Sequence, residues 1–205
     1  MANIILNGKT VVTQTGNDEP VLGSNVILTN DSLASATFPA GHVIQVKSVI
    51  RNTEWQGPDT VNNEHTLFTT DTSQTTAHTN TTFKVEITPI SNTSKFLVQY
   101  AINVGNASTG VSFKLYRGNG TSPTYGSSGS RSPQSSGSAW THDTNQAQQT
   151  CYTILDEPAT NAQLTYYITY VYFGVKPWFN TNTSRAGQEY DDVYTSTLTV
   201  MEISG

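Results

Sequence analysis

Charge is scarce in this chain: Asp, Glu, Lys and Arg make up only 12% of its 205 residues, and the formal net charge is -5. No cluster of Lys or Arg is present to neutralise a phosphate backbone, and the isoelectric point lies near 5.2, so direct nucleic-acid binding is not expected. Cysteine is limited to Cys151, which rules out an internal disulfide. Flanked by Tyr152 and Ile154 in an alternating run, Cys151 is expected to be a small buried hydrophobe. Long apolar runs are missing too, and nothing approaches the roughly 18 residues that a spanning helix needs. The opening Met1-Ala2-Asn3-Ile4-Ile5-Leu6-Asn7 lacks the basic and then apolar order of a signal peptide. These absences predict a soluble protein made in a cytoplasm, with no membrane insertion.

Leu, Ile, Val and Phe amount to about a fifth of the chain, near the composition at which disorder sets in. The low net charge and ten Tyr point the other way, since disordered chains are more charged and poorer in aromatics. Thr, Ser, Asn and Gln supply the polar positions instead, which suits strands and turns rather than surface helices. The length allows one sizeable β domain with a short appended segment.

The strongest pattern runs from Thr82 to Val104. Phe83, Val85 and Ile87 alternate with Lys84 and Glu86, a turn follows through Thr88-Pro89-Ile90-Ser91-Asn92-Thr93-Ser94-Lys95, and Phe96, Val98, Tyr100, Ile102 and Val104 then alternate with Leu97, Gln99, Ala101 and Asn103. Period-two alternation gives each strand one apolar face, and the Pro/Ser/Asn turn makes the two strands either antiparallel neighbours or a crossing between two sheets.

Before this hub, residues 1–40 carry short apolar runs (Ile4–Leu6, Val11–Val12, Val26–Leu28) between turn signals such as Asn7-Gly8. Such hairpins bury little, so this segment is expected to be a β-rich arm that leans on the main domain, a second copy or a larger assembly. Val43–Ile50 is nearly continuously apolar and predicts a strand with both faces partly covered. Residues 51–81 form a polar excursion in which Leu67-Phe68 suggests a short strand. Beyond the hub, strands are expected over Val111–Leu115, Gln149–Leu155, Leu164–Phe173 and Thr195–Ile203, with long loops over 117–139 and 174–192. Eight or so strands with irregular loops predict an all-β fold, an antiparallel β-sandwich of jelly-roll type over residues 41–205. The strand 164–173 is apolar or aromatic on both sides, which suggests a face buried between subunits.

Four segments in order carry a resemblance: Gly41-His42-Val43-Ile44-Gln45-Val46, then Val85–Pro89 with Ser91–Lys95, then Leu155-Asp156-Glu157-Pro158-Ala159-Thr160, and Leu198–Ile203. Together, over roughly residues 38–205, they resemble a family of β-rich structural proteins of tailed bacteriophages, common among phages of cyanobacteria. The resemblance implies a virion surface protein, either a capsid decoration (cement) protein or a short fibre. It further implies that residues 1–40 attach the domain to other virion proteins of capsid or tail. A homotrimer is expected, with no cofactor. The alternative is a receptor-binding tail-fibre tip or carbohydrate-binding module for host surface glycans.

Reactive constellations are weak. His42, His65, His78 and His142 lie at no metal-ligand spacing. Asp156-Glu157 could form the carboxylate pair of a glycosidase, but directly before Pro158 it reads better as an exposed corner between strands. No enzymatic activity is expected. The suggestive residues are aromatics in or beside loops: Trp55, Tyr125, Trp140, Trp178, Phe179, Tyr190 and Tyr194. They either stack on a ligand or anchor a partner, or they plug the open ends of the sandwich.

Overall fold

A computed structural model describes residues 2–6, 9–15, 21–22, 40–59, 61–69, 81–105, 109–118, 138–141, 147–181 and 193–205. The chain divides into two compact units, Met1–Phe38 and Pro39–Gly205. In the first unit, β1 (Ala2–Leu6) pairs antiparallel with β2 (Lys9–Gln14), with a register shift between Ile4 and Ile5, and β2 pairs with β3 (Val21–Leu22). The run Val26–Leu28 lies outside the described residues.

The described residues of the second unit form eleven strands: β4 (Val43–Arg51), β5 (Trp55–Gln56), β6 (His65–Thr66), β7 (Lys84–Ile87), β8 (Lys95–Gly105), β9 (Thr109–Gly118), β10 (Ser138–Thr141), β11 (Ala147–Asp156), β12 (Leu164–Gly174), β13 (Trp178–Phe179) and β14 (Ser196–Ile203). Every pairing is antiparallel. One sheet runs β4-β14-β8-β11, with β13 and β5 extending the far end of β8; the other runs β7-β12-β9-β10, with β6 beside β7 along β12. The hub is therefore a crossing: β7 and β8 belong to different sheets.

Between the sheets lies one core. Phe96, Val98, Tyr100, Ile102 and Val104 of β8 face Phe83, Val85 and Ile87, Val111, Phe113 and Leu115 of β9, and Tyr166, Ile168, Tyr170 and Tyr172 of β12. These side chains are nearly fully buried, which removes apolar surface worth roughly 1.5–3 kcal/mol for each large side chain.

Several expectations change. Leu67-Phe68 is a buried turn after β6, with Phe68 at φ 55, rather than a strand. β4 is an edge strand whose second face stands open, with Val46 55% and Ile50 65% exposed. Cys151 is exposed, because its pairing with Ala101 puts it on the outer face of the sheet. The second face of β12 is covered by the chain itself over Tyr167 and Thr169, where Glu64, Lys114 and Tyr116 close over them; it is half-buried at Thr165 and Val171 and exposed at Phe173. Residues 174–192 include the short strand β13, and the loop expected over 117–139 gives its two ends to β9 and β10, with residues 119–137 outside the described residues.

Candidate functional site

One end of the sandwich gathers the loop aromatics. β5 brings Trp55 against Phe68 at 5.6 Å, Tyr170 at 6.0 Å and Phe179 at 5.4 Å between ring centroids. β13 holds the half-buried Trp178 between Gln56 of β5 and Gly105 of β8, and it buries Phe179 completely. Tyr194, half-buried, donates its backbone N–H to the carbonyl of Asn180 at 2.9 Å. The Trp55 ring closes the core at this end, while Trp178, next to the inward Phe179 in β13, lies on the other face of the strand. Trp140 lies in β10 opposite Gly110 of β9; its side chain, Tyr125 and Tyr190 lie outside the described residues.

Beneath these aromatics sits a polar knot centred on Asn180, which is fully buried and adopts φ 61. Its Nδ2 donates to the carbonyls of Arg51 at 3.1 Å and Thr53 at 3.2 Å, and its Oδ1 accepts from Ser196 Oγ at 2.6 Å. Ser196 Oγ in turn accepts the Asn103 N–H at 3.1 Å. Every side-chain bonding group of Asn180 is thereby engaged, and β4, β8, β13 and β14 are joined.

Three buried or half-buried carboxylates are likewise committed to the scaffold. Asp156 is not part of an exposed corner: its pairing with Phe96 turns it inward, where it is 4% exposed. There Arg117 Nη1 approaches both carboxylate oxygens at 3.1 Å and Tyr166 Oη donates at 2.6 Å, clasping the two sheets together. Burial raises its pKa above the ordinary value, against the opposing pull of Tyr166 and Arg117. Burial and that carboxylate push the Tyr166 hydroxyl far up. Glu157, the next residue, is exposed and pairs with Lys95 at 2.9 Å, so the two acids serve opposite faces and flank no common site.

Glu64 accepts from Lys114 at 2.7 Å, Tyr116 at 2.6 Å and Thr169 at 2.7 Å. Burial works to raise its pKa, but these three donors and the charge of Lys114 hold it below the ordinary value. Burial and Glu64 together push Tyr167 up to about 12. The third carboxylate, Glu202, is fully buried; it accepts the Ile90 N–H at 2.7 Å and the amide of Gln45, which also donates to the Thr88 carbonyl at 2.9 Å.

His65 is buried against Tyr170 and Tyr172, whereas His42 is exposed; His78 and His142 lie outside the described residues. Among the described residues no group of three or more His, Cys, Asp or Glu side chains is placed to hold a metal ion. Asn180, Glu64 and Glu202 carry the polar organisation of the domain, and sequence reasoning did not single them out. Their partners lie up to 157 residues away, for the Gln45 bond to Glu202, and no local spacing marks such pairs. The chain matches no protein-family model and no curated protein.

Proposed function

We propose that this protein is a non-enzymatic structural component of a tailed-phage virion surface, a homotrimeric capsid decoration protein or short fibre held to the particle through residues 1–40. The observation that carries this reading is where the buried polar chemistry is used. Asp156, Glu64, Glu202 and Asn180 hold sheets and strand ends together, as a rigid scaffold requires. The strand order adds support. With the two-residue strands β5, β6 and β13 set aside, the orders β4-β14-β8-β11 and β7-β12-β9-β10, in which every connection but β9 to β10 changes sheet, are consistent with a jelly roll, an architecture used by capsid and lectin domains. The sequence resemblance over residues 38–205 supplies the phage context.

Deleting residues 1–40 tests it. The truncated protein keeps its β circular dichroism and no longer joins particles; incorporation at the full-length level would overturn the attachment role. Replacing Trp140 and Tyr190 by Ala separates decoration from receptor recognition. A decoration protein loses neither particle heat stability nor adsorption to host cells. A receptor tip loses at least about tenfold in adsorption, since aromatic anchors contribute roughly 2 kcal/mol or more each.

A further inference from the structure

The two sheets of the second unit present contrasting outer faces. Over β7, β9 and β12 the outer face carries charges, the pairs Lys84–Glu86 at 2.8 Å and Lys114–Glu64 at 2.7 Å, as a surface meeting water does. The other sheet differs. Its register aligns Val46, Met201, Leu97 and Leu155 in one row across four strands, with Val46 55% and Leu155 49% exposed. Four residues along each strand, the row from Ile50 through Thr197 and Ala101 to Cys151 is again uncharged.

The row between them is polar, yet its groups bond to one another. Ser48 and Thr199 hydroxyls lie 2.9 Å apart, and Gln99 Nε2 donates to Thr153 Oγ1 at 3.3 Å. Polar groups already paired within a face lose little when water is removed from it. Among the described residues, charge enters this face at the rim, where Lys95 pairs with Glu157.

We propose that a second copy of this chain covers the outer face of the β4-β14-β8-β11 sheet. An uncharged centre with paired polar groups and a charged rim is the composition of a subunit interface, and a face without charge accepts a neighbouring copy without repulsion. The dimensions agree. Four strands about 4.8 Å apart and eight residues at about 3.3 Å each give roughly 500 Å² in projection. Side-chain relief raises this towards the roughly 800 Å² that each partner contributes to a standard interface. The inference deepens the virion reading in its self-assembly alone, by naming the surface through which copies meet.

Cys151, the single thiol, stands on this face and reports on it. The full-length protein is labelled with a maleimide from about 10 nM to about 100 µM, with mass followed by light scattering or sedimentation, a range that spans ordinary association constants. Labelling is expected to slow about tenfold as copies assemble, because the reagent reaches only the uncovered fraction. Thr199→Lys, which places a charge at the centre of the face, is expected to stay monomeric with native circular dichroism and to label at the dilute wild-type rate.

An oligomer whose Cys151 reacts at the dilute rate overturns the inference and leaves the trimer standing through another surface. A monomer at all concentrations overturns both. Protection in a monomer assigns the cover to another segment of the same chain and also overturns it, as does a Thr199→Lys protein that remains assembled and protected.

Discussion

Replacing Asn180 separates the contribution of its backbone conformation from that of its side chain. Asn180 sits in the left-handed region at φ 61 and is fully buried, with Nδ2 on two carbonyls and Oδ1 under the Ser196 hydroxyl. Asn180→Ala removes three hydrogen bonds and leaves the Arg51 and Thr53 carbonyls and the Ser196 hydroxyl short of a partner, a loss of about 3 kcal/mol at roughly 1 kcal/mol for each bond. Ala in the left-handed region adds about 1 kcal/mol, so the total is about 4 kcal/mol. Asn180→Gly loses the same bonds without that backbone term, which makes Gly more stable than Ala here by about 1 kcal/mol, the reverse of the usual order within helices and strands. Asn180→Asp keeps the shape but sets a carboxylate against two carbonyl oxygens in a buried site, and it is the least stable of the three at neutral pH. Urea unfolding at pH 7 measures the series, and a loss of about 4 kcal/mol lowers Tm by about 8–16 °C in a chain of this length. Ala and Gly variants of equal stability, each within about 1 kcal/mol of wild type, would refute the reasoning.

Three more predictions rest on contacts of the same kind. Arg117→Met leaves the Asp156 carboxylate buried without its cation and is expected to lower stability by about 3–5 kcal/mol, while adding Asp156→Asn recovers a large part; urea midpoints of both variants check this. Gly57→Ala drives a Cβ to 2.3 Å from the Tyr170 hydroxyl, which has no hydrogen-bond partner among the described residues, so Tyr170→Phe alone is near neutral and partly rescues Gly57→Ala in thermal melts. The Glu64 pKa is depressed on folding, so its stabilisation is complete above its unfolded value near 4.5 and fades as pH falls through the lower folded value. Glu64→Gln therefore flattens the fall of Tm below pH 4.5; an unchanged acid limb refutes the assignment.

Strands were legible where one parity set was apolar and the other was not. β7 meets this condition with Val85 and Ile87 against Lys84 and Glu86, and β8 with five large apolar side chains at alternate positions. In β11 the rule gives two answers, because Tyr152 and Ile154 compete with Cys151 and Leu155 for the inner face. Pairing with β8 decides it: Ile154 and Asp156 lie beside Val98 and Phe96, and Cys151 turns outward. The partner strand ends more than 40 residues before β11 begins, so local pattern cannot reveal that register. The aromatics at the sandwich end fail for a related reason. Trp55 and Phe179 belong to two-residue strands, too short for any periodicity, and contacts with rings distant in sequence, Tyr170 at 6.0 Å from Trp55 and at 4.9 Å from Phe179, put Phe179 in the core and Trp55 against it.

Polar knots at the two ends of β8 supply the register that alternation leaves weak. Phe96 of β8 lies between Asp156 of β11 and Glu202 of β14, each buried with its own donors; at the other end, Asn103 is bonded to Ser196 and Asn180. Between these ends β14 alternates Leu198 and Val200 with Thr197, Thr199 and Met201, residues that tolerate either face. A slip of one residue along β8 would exchange those sets at modest cost in apolar burial. It would also carry Glu202 outward from the Ile90 N–H and move Ser196 off both Asn103 and Asn180, leaving several buried polar groups unsatisfied at roughly 1–3 kcal/mol each. In a chain this poor in charge, the few buried polar side chains therefore select one pairing of the strands, and the apolar residues make that pairing stable.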